Sequence, residues 1–413
     1  NGGTHNVGVG IDTLAAIVNG ARNVAIGNNA LTALTGGGTD VLLGNIAVGY
    51  GALDSLQTGE SNIAIGLAAM DAATGAVSNC VIIGDRAGDA INSTNSNGTV
   101  AIGYHALGAL VNGSSNTAIG YNSMVVANHA DCDQNTCVGY VSGNAISSGQ
   151  KNTLIGNEAG ATRLTTGDKN TAVGAETLGK GADAVLTGDN NTVMGYQAGL
   201  VLKTGANANT MIGAQSGLAM TVGTENTCLG DRAGNNITDG DQNICIGGNT
   251  DTSATGSEHQ IVIGHNFVGT ADSAIHIGNA TRHIRCDYGS DQTWDASSDE
   301  RMKDVTGDSP LGLDFINDFP VVIYNWKSPS EYPEEFADYN ADETEPSDTL
   351  QHHGVTAQSV KAALDKIDGV TDFAGWGEDS DGMQTIGESA FVWPLIKAVQ
   401  ELSAKVKALE DAQ

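Results

Sequence analysis

One short segment in the last third of the chain carries residues that could perform covalent chemistry. In Ser-Ser-Asp-Glu-Arg-Met-Lys, residues 297–303, Ser298 and Lys303 stand five positions apart. A serine hydroxyl becomes an effective nucleophile when a base accepts its proton, and a lysine can be that base if burial lowers its pKa. Serine–lysine pairs are known variants of the catalytic triad. The spacing alone is very weak evidence, because this spacing is common and a helix-capping serine is the better interpretation of it.

The elements that must position this pair belong to a second, globular domain. All six prolines and all four tryptophans lie at or after Trp294, and glycine becomes less frequent across the same boundary. This change of composition predicts one domain over 1–290 and a separate domain with its own core over 291–413. The stretch 328–350 is acidic and contains prolines, which predicts an exposed loop. Residues 355–366 are predicted to form a helix.

The C-terminal end of the chain has a heptad pattern over 394–410. Its apolar residues alternate at spacings of four and three, and they are Leu395, Val399, Leu402, Val406 and Leu409. This pattern predicts a short coiled-coil seam between copies of the chain. Two and a half heptads are too few to fix the number of strands. The alternative is a single amphipathic helix that packs on the core of its own domain.

The first 280 residues repeat one short phrase sixteen times. Each copy is an Asn-Thr-Ala-Ile-Gly-like strand that ends in glycine, with a spacing that is mostly 17 to 19 residues. A fixed period of this kind indicates stacked supersecondary units. The glycines are Gly10, Gly27, Gly49, Gly66, Gly84, Gly103, Gly120, Gly139, Gly156, Gly174, Gly195, Gly213, Gly230, Gly247, Gly264 and Gly278.

Residue type alternates along each predicted strand. With the glycine as position 0, position −1 is Ile, Val, Leu or Met and position −3 is β-branched in all sixteen copies, whereas position −2 is mostly small. Because side chains alternate along a strand, positions −1 and −3 share one face. Position −4 is asparagine in twelve copies, which predicts a ladder of amides bonded from coil to coil. Position +3 is Ala, Ser or Thr in the first fourteen copies, which predicts a second, inward-facing strand.

A coil of this kind cannot bury its apolar face alone, since aromatic residues are rare before residue 288. Stacking covers the ends of each coil, and association with other copies would cover its side. We therefore predict a mainly β chain. A repetitive β-roll or β-solenoid rod, expected to be trimeric, precedes a small α+β domain that ends in a coiled-coil helix.

Composition excludes several classes of partner. The net charge of −30 argues against binding to nucleic acid or to an anionic membrane. No run of 18 apolar residues exists, so no membrane insertion is predicted. No metal or cofactor site is predicted either. The adjacent His352 and His353 are expected to pack or form hydrogen bonds, because neighbouring side chains on an extended segment point apart.

The six cysteines are expected to be free thiols that serve as small apolar residues. Cys137, Cys228 and Cys245 occupy the small position −2. A bridge between Cys132 and Cys137 is the alternative for that pair. The chain has no initiating Met, so a preceding region is expected.

The repeats resemble the head repeat of trimeric adhesins, a left-handed parallel β-roll found in bacterial surface adhesins and in many phage fibres. The resemblance covers about residues 6–280. Sixteen copies in series make it specific, although the unit here is longer than in the best-known adhesins.

Four further motifs occur in order, from "SSDERMKDV" through "GLDFINDFPVVIYNWK" and "HHGVTAQSV" to "PLIKAVQELSAKVKALE". Together they resemble the C-terminal intramolecular chaperone, or auto-processing, domain of phage tailspikes and tail fibres. The resemblance implies that Ser298 is the nucleophile, that Lys303 is its general base, and that cleavage between Ser297 and Ser298 releases residues 298–413. Met302 takes the usual leucine place, which is a conservative departure.

The resemblances together imply a virion tail-fibre or receptor-binding protein whose C-terminal domain templates trimer assembly and then removes itself. Self-cleavage would occur once per chain, with no substrate turnover. The implied partners are two further copies of the chain, a host cell-surface receptor, and other tail proteins bound through the preceding region. Its place would be the virion, after assembly in the host cytoplasm. The alternatives are a bacterial trimeric adhesin head and a tailspike enzyme that degrades glycans.

Overall fold

The structure is a computed structural model of the chain. It describes residues 3–36, 41–127, 129, 132–162, 164–179, 185–288, 294–296, 300–346, 348–370 and 372–412, without the side chains of 41, 42, 294–296 and 302. The chain divides into two compact units, Asn1–Ser297 and Ser298–Gln413. The domain boundary expected after residue 290 stays a prediction.

The first unit is a β-solenoid, which confirms the predicted fold class. Sixteen strands form one parallel, in-register ladder, one strand for each repeat. In chain order they are Val7–Val9, Val24–Ile26, Ile46–Val48, Ile63–Ile65, Val81–Ile83, Val100–Ile102, Thr117–Ile119, Thr136–Val138, Thr153–Ile155, Thr171–Val173, Thr192–Met194, Thr210–Ile212, Thr227–Leu229, Ile244–Ile246, Ile261–His265 and Ala274–Asn279.

Smaller strands complete the sheets of this unit. Two short parallel pairs lie at corners, Gly20–Ala21 with Val41–Leu42 and Thr250–Asp251 with Phe267–Val268. At the C-terminal end the direction reverses. There, His283–Asp287 pairs antiparallel with the last solenoid strand, and Trp294–Ala296 pairs with His283–Asp287.

The residue at position −2 faces the interior of the coil, whether it is small or, as at Leu154 and Val193, large, and the residues at positions −3 and −1 face outward. Ala118 and Ala172 are completely buried, as is Cys137 at the same position. The residues at positions −3 and −1, which we call the apolar stripe, line the outer surface of the sheet; position −1 is apolar in every repeat, and position −3 is Val, Ile or Thr. Val9 is 58 % exposed and Met194 is 44 % exposed. The stripe is therefore a largely apolar surface, exposed or half-buried, that runs along the ladder.

The predicted asparagine ladder is confirmed. Asn152 illustrates the repeated contact: its Oδ1 accepts hydrogen bonds from the backbone N–H of Asn170 at 2.9 Å and from the side-chain amide of Asn170 at 3.2 Å. Its own Nδ2 donates to Oδ1 of Asn135 at 3.1 Å and to the carbonyl of Gly167 at 2.8 Å. One buried amide thus satisfies polar groups of neighbouring coils.

The prediction of a second strand at position +3 is wrong for most of the described coils, although the small residue there does face inward. It holds at the C-terminal end of the solenoid, where Thr250–Asp251 pairs with Phe267–Val268. Ala69 is completely buried, but the residues on either side, Ala68 and Met70, have φ values of +49° and +54°. Two left-handed residues so close together make the chain curl into a turn, so it cannot extend as a strand.

The strand glycine is required by both backbone conformation and space. Gly120 has a φ of +138°, and a Cβ added there would overlap the carbonyl oxygen of Gly139 in the next coil. The same arrangement recurs from coil to coil, so the coils approach each other through glycine backbone.

A buried histidine, His276, lies at the C-terminal end of the solenoid interior. His276 takes the inward position −2 of the last strand and is completely buried. Its Nε2 accepts a hydrogen bond from the backbone N–H of Thr270 at 3.2 Å and lies 2.9 Å from the Thr270 hydroxyl. Arg285 is the residue opposite His276 on the neighbouring strand. Burial, followed by the nearby charges of Arg285 and His283, lowers the pKa of His276, and Asp287 opposes this effect.

The second unit is a small α+β domain. Its helices are α1 (Leu313–Asn317), α2 (Ala357–Leu364) and α3 (Val392–Asp411). Its strands form two antiparallel hairpins, Val322–Tyr324 with His352–Gly354 and Trp376–Glu378 with Gln384–Ile386. The buried centre of its core consists of Leu311, Phe315, Val360, Ala363 and Leu364.

The 3₁₀ turns lie at Thr94–Ser96, Glu300–Met302, Pro329–Glu331 and Glu388–Phe391. The six cysteines are free and buried, so the alternative bridge between Cys132 and Cys137 is absent.

Gly120→Ala should lower the free energy of unfolding by about 3 kcal/mol or more, because backbone strain adds to a clash with the next coil. Gly205→Ala is the matched control. Gly205 also has a positive φ, +97°, but nothing lies within 4 Å of an added Cβ. The control should cost about 1–2 kcal/mol from backbone strain alone. Equal losses of stability in denaturant unfolding would show that the close approach of coils does not constrain this position.

The solenoid end should lose stability in acid because of His276. In the unfolded chain a histidine takes up its proton near pH 6.5, whereas folded His276 takes it up at lower pH. Stability is therefore complete above about pH 6.5 and falls as the pH drops from there toward the lowered pKa. His276→Gln, which keeps an acceptor for Thr270, should flatten this dependence in thermal unfolding between pH 7 and pH 5. His353→Gln, at an exposed site, should leave it unchanged. An unaltered pH profile for His276→Gln would contradict the assignment.

Candidate functional site

The structure describes the residues on either side of the two serines in the predicted serine–lysine motif. Ser297 and Ser298, the predicted cleavage site and nucleophile, lie outside the described residues. Upstream, Trp294–Ala296 forms the last strand of the solenoid sheet, with Ala296 opposite Ile284. Downstream, Glu300–Met302 forms a 3₁₀ turn that leads into Lys303. The motif thus follows directly on a strand and contains a tight turn just before Lys303.

Lys303, the predicted base, is solvent-exposed, and its backbone N–H donates to the carbonyl of Glu300 at 3.1 Å. A lysine in water keeps its proton at neutral pH, and burial is what lowers its pKa enough for it to act as a base. The chemistry predicted for Lys303 therefore requires a less hydrated environment than the single chain provides.

Helix α3 extends beyond the predicted 394–410 at its N-terminal end and begins at Val392. All five predicted seam residues lie on it, and they are between 47 and 68 % exposed: Leu395, Val399, Leu402, Val406 and Leu409. Val392 continues the same spacing and is also exposed, so the apolar seam has one more member than the sequence pattern suggested.

A different face of α3 holds the helix on its own unit. Pro394 and Ala398 are buried. The Glu401 carboxylate accepts a hydrogen bond of 2.8 Å from the backbone N–H of Leu313, at the N-terminus of α1. The helix therefore packs on its own core as the alternative prediction proposed, but with a face other than the seam. A coiled coil between copies stays a prediction.

A second apolar surface of this unit was not anticipated. Val321, Ile323 and Leu350 are exposed on or beside the hairpin Val322–Tyr324/His352–Gly354. The expectation for His352 is confirmed: its Nε2 lies 3.1 Å from the Asp348 carboxylate, and its ring stacks on Tyr324. Strand periodicity over three residues is too short a signal to identify such a surface from sequence.

Within the described residues, no His, Cys, Asp and Glu side chains are grouped as a metal site would require. The same residues include no helix with the length and hydropathy needed to cross a bilayer.

Comparison with known families identifies part of the second unit. Residues 298–368 match the family model described as chaperone of endosialidase. No curated protein and no solved structure matches the chain. The family match and the β-solenoid together fit a tailspike- or fibre-type protein with a C-terminal chaperone.

If the seam of α3 is a contact between copies, a charge placed in it should weaken association of the chains. Leu402→Asp would place an unpaired carboxylate in a desolvated apolar contact, which costs several kcal/mol. We expect this variant to dissociate at concentrations where the unaltered protein is oligomeric, as measured by sedimentation velocity. Ala404→Asp adds the same charge to the exposed side of α3 away from the seam, and it should associate normally. If both variants associate like the unaltered protein, the seam is not a contact between copies.

Proposed function

We propose that the protein is a tail-fibre or tailspike structural protein that assembles as a homotrimer. Its C-terminal unit aligns three chains and then detaches by self-cleavage between Ser297 and Ser298. The observation that carries this proposal is the position of the family match, which begins at Ser298, the first residue of the second compact unit.

The apolar stripe supports association of the solenoid. Large apolar surfaces left exposed on a protein mark interaction sites. The stripe recurs in every coil at the same two register positions, −3 and −1, so a parallel copy of the chain offers a matching surface at each step. Three copies around one axis would remove three stripes from water in a closed arrangement.

A template is useful because the coils resemble each other so closely. Chains built from sixteen similar repeats can pair with an offset of one coil and still bury apolar surface, and register is then weakly specified. Association through the exposed seam of α3 would bring the three C-terminal ends level before the solenoids meet. The chaperone thereby selects the one alignment in which all coils have partners.

Cleavage would follow assembly because assembly changes the surroundings of Lys303. Desolvation lowers its pKa, and the neutral amine removes the proton from the Ser298 hydroxyl. The Ser298 oxygen attacks the carbonyl carbon of Ser297, and the amide nitrogen of Ser298 leaves with a proton supplied by Lys303. The resulting ester between Ser297 and the Ser298 oxygen is hydrolysed by water. Once the template has been removed, the folded solenoid cannot unfold by reversing the steps of its assembly. It is therefore kinetically trapped.

The mature fibre would act in attachment, with a host surface receptor as its external partner and other tail proteins as its internal ones. Assembly in the host cytoplasm fits the six free cysteines. The finished protein would be part of the virion.

Ser298→Ala and Lys303→Arg should each leave the chain at full length while the oligomer still forms. Alanine removes the nucleophile, and arginine keeps the positive charge but cannot give up its proton. Ser297→Ala is the control, and it should still be cut, because it retains both the nucleophile and the base. Denaturing gels and N-terminal sequencing provide the readout, with a small fragment that begins Ser-Asp-Glu-Arg expected from the unaltered chain.

Two results would contradict this assignment. One is a small fragment of unchanged size from Ser298→Ala. The other is a fragment from the unaltered chain whose first residue is not Ser298.

A further inference from the structure

Tyrosine occupies a single register position in the solenoid. All five tyrosines before residue 288 follow directly after a strand glycine, at position +1, and they are Tyr50, Tyr104, Tyr121, Tyr140 and Tyr196. Because the repeats stack in register, this position forms one line along the ladder. Three of the five, Tyr104, Tyr121 and Tyr140, come from consecutive repeats, and we call them the tyrosine ladder.

The rings of the tyrosine ladder stack on one another. The ring centroids of Tyr104 and Tyr121 are 5.1 Å apart with planes 14° from parallel, and those of Tyr121 and Tyr140 are 5.4 Å apart with planes at 13°. The side chain of His105 stacks on the outer face of the set, 5.7 Å from Tyr104. The three tyrosines are 42 to 50 % exposed. The stack therefore presents ring edges and hydroxyls to solvent at intervals of about one coil.

The hydroxyls of the ladder have no hydrogen-bond partner among the described residues. A different side-chain ladder on later coils shows the contrast. There, Gln197 donates to Glu176 at 2.9 Å, Gln215 donates to Gln197 at 3.1 Å, and Arg232 donates to Gln215 at 3.0 Å. That ladder satisfies its own polar groups, whereas the tyrosine ladder offers a row of unused donors and acceptors.

We propose that the tyrosine ladder binds a linear, hydroxyl-rich glycan that lies along the solenoid. This inference deepens the attachment role in the proposed function and rests on it. Tyrosine combines an apolar ring with a polar tip and loses little conformational entropy on binding. A glycan alternates C–H surfaces with hydroxyl groups in a similar way. The length of one sugar along an extended chain is comparable to the interval between coils, so successive sugars can meet successive tyrosines.

Other occupants fit the ladder less well. The net charge of −30 disfavours a nucleic acid. A second copy of the chain is better accommodated by the apolar stripe, which carries an apolar residue at position −1 in every repeat. Position +1 is not apolar or aromatic in every repeat, because polar residues, Asp85 and Asn157, occupy it in the two repeats that flank the ladder. A local aromatic set bounded by polar residues favours a ligand that spans a few coils.

The ladder supplies a matched control within the same chain. Tyr196 occupies the same register position and is 52 % exposed. Its neighbours along the line are Ala175 and Ala214, so it has no stacked partner. Tyr121→Ala breaks the ladder at its centre, Tyr121→Phe removes only one hydroxyl, and Tyr196→Ala removes an isolated tyrosine.

The test measures binding of the full chain to a panel of purified lipopolysaccharide O-chains and capsular polysaccharides by biolayer interferometry. At least one polysaccharide should bind, and Tyr121→Ala should weaken its binding tenfold or more. Tyr121→Phe should weaken it about threefold, since the ring contacts remain while one hydroxyl is lost, and Tyr196→Ala should bind normally. Native mass and self-cleavage are measured on the same samples.

Three results would overturn the proposal. They are binding to no polysaccharide in the panel, equal binding by Tyr121→Ala and the unaltered chain, and loss of oligomer mass in Tyr121→Ala. The last would identify the ladder as a contact between copies. If oligomer and cleavage are normal while glycan binding fails, only the ladder assignment is wrong. If the unaltered chain neither assembles nor cleaves, the proposed function itself fails.

Discussion

Successive coils approach each other through glycine backbone, and the rest of the structure depends on this close stacking. The Gly120 backbone lies so near the Gly139 carbonyl of the next coil that a Cβ would overlap it. Each sheet strand then points only position −2 into its coil, where Ala118 and Val193 are both completely buried. Positions −3 and −1 face outward as the apolar stripe, and a fold with such a stripe gains stability from association, which is why we propose a homotrimer for this chain.

Buried polar groups form their hydrogen bonds between the closely stacked coils. One asparagine in most coils satisfies backbone groups of the next coil, and it remains completely buried while doing so, as Asn152 shows. Where the ladder ends, His276 replaces the small interior residue and the chain turns back in an antiparallel strand. The parallel stack ends here, and two antiparallel strands continue the sheet. The strand Trp294–Ala296 then leads directly to the predicted cleavage site.

Much of this fold was predictable, because period and residue type are strong signals when they recur sixteen times. The strands, the asparagine ladder and the buried cysteines followed from the sequence. Alternation showed that positions −1 and −3 share a face, but it could not show which face points outward, because both are largely apolar. The turn at position +3 was mistaken for a strand, since a small buried residue fits either. His276 and Val392 each occur once, so no repeated pattern marked them. Motif order identified the chaperone region, but motifs do not give the surroundings of Lys303.

The central claim is that this chain is stable as an assembly of three copies and not as a single solenoid. The most direct test is the native mass of the uncleaved Ser298→Ala protein, determined by sedimentation equilibrium over a wide range of concentration. The account predicts a single species of three times the 42.0 kDa chain mass. A folded, heat-stable species of one chain mass, with the apolar stripe open to solvent, would contradict it.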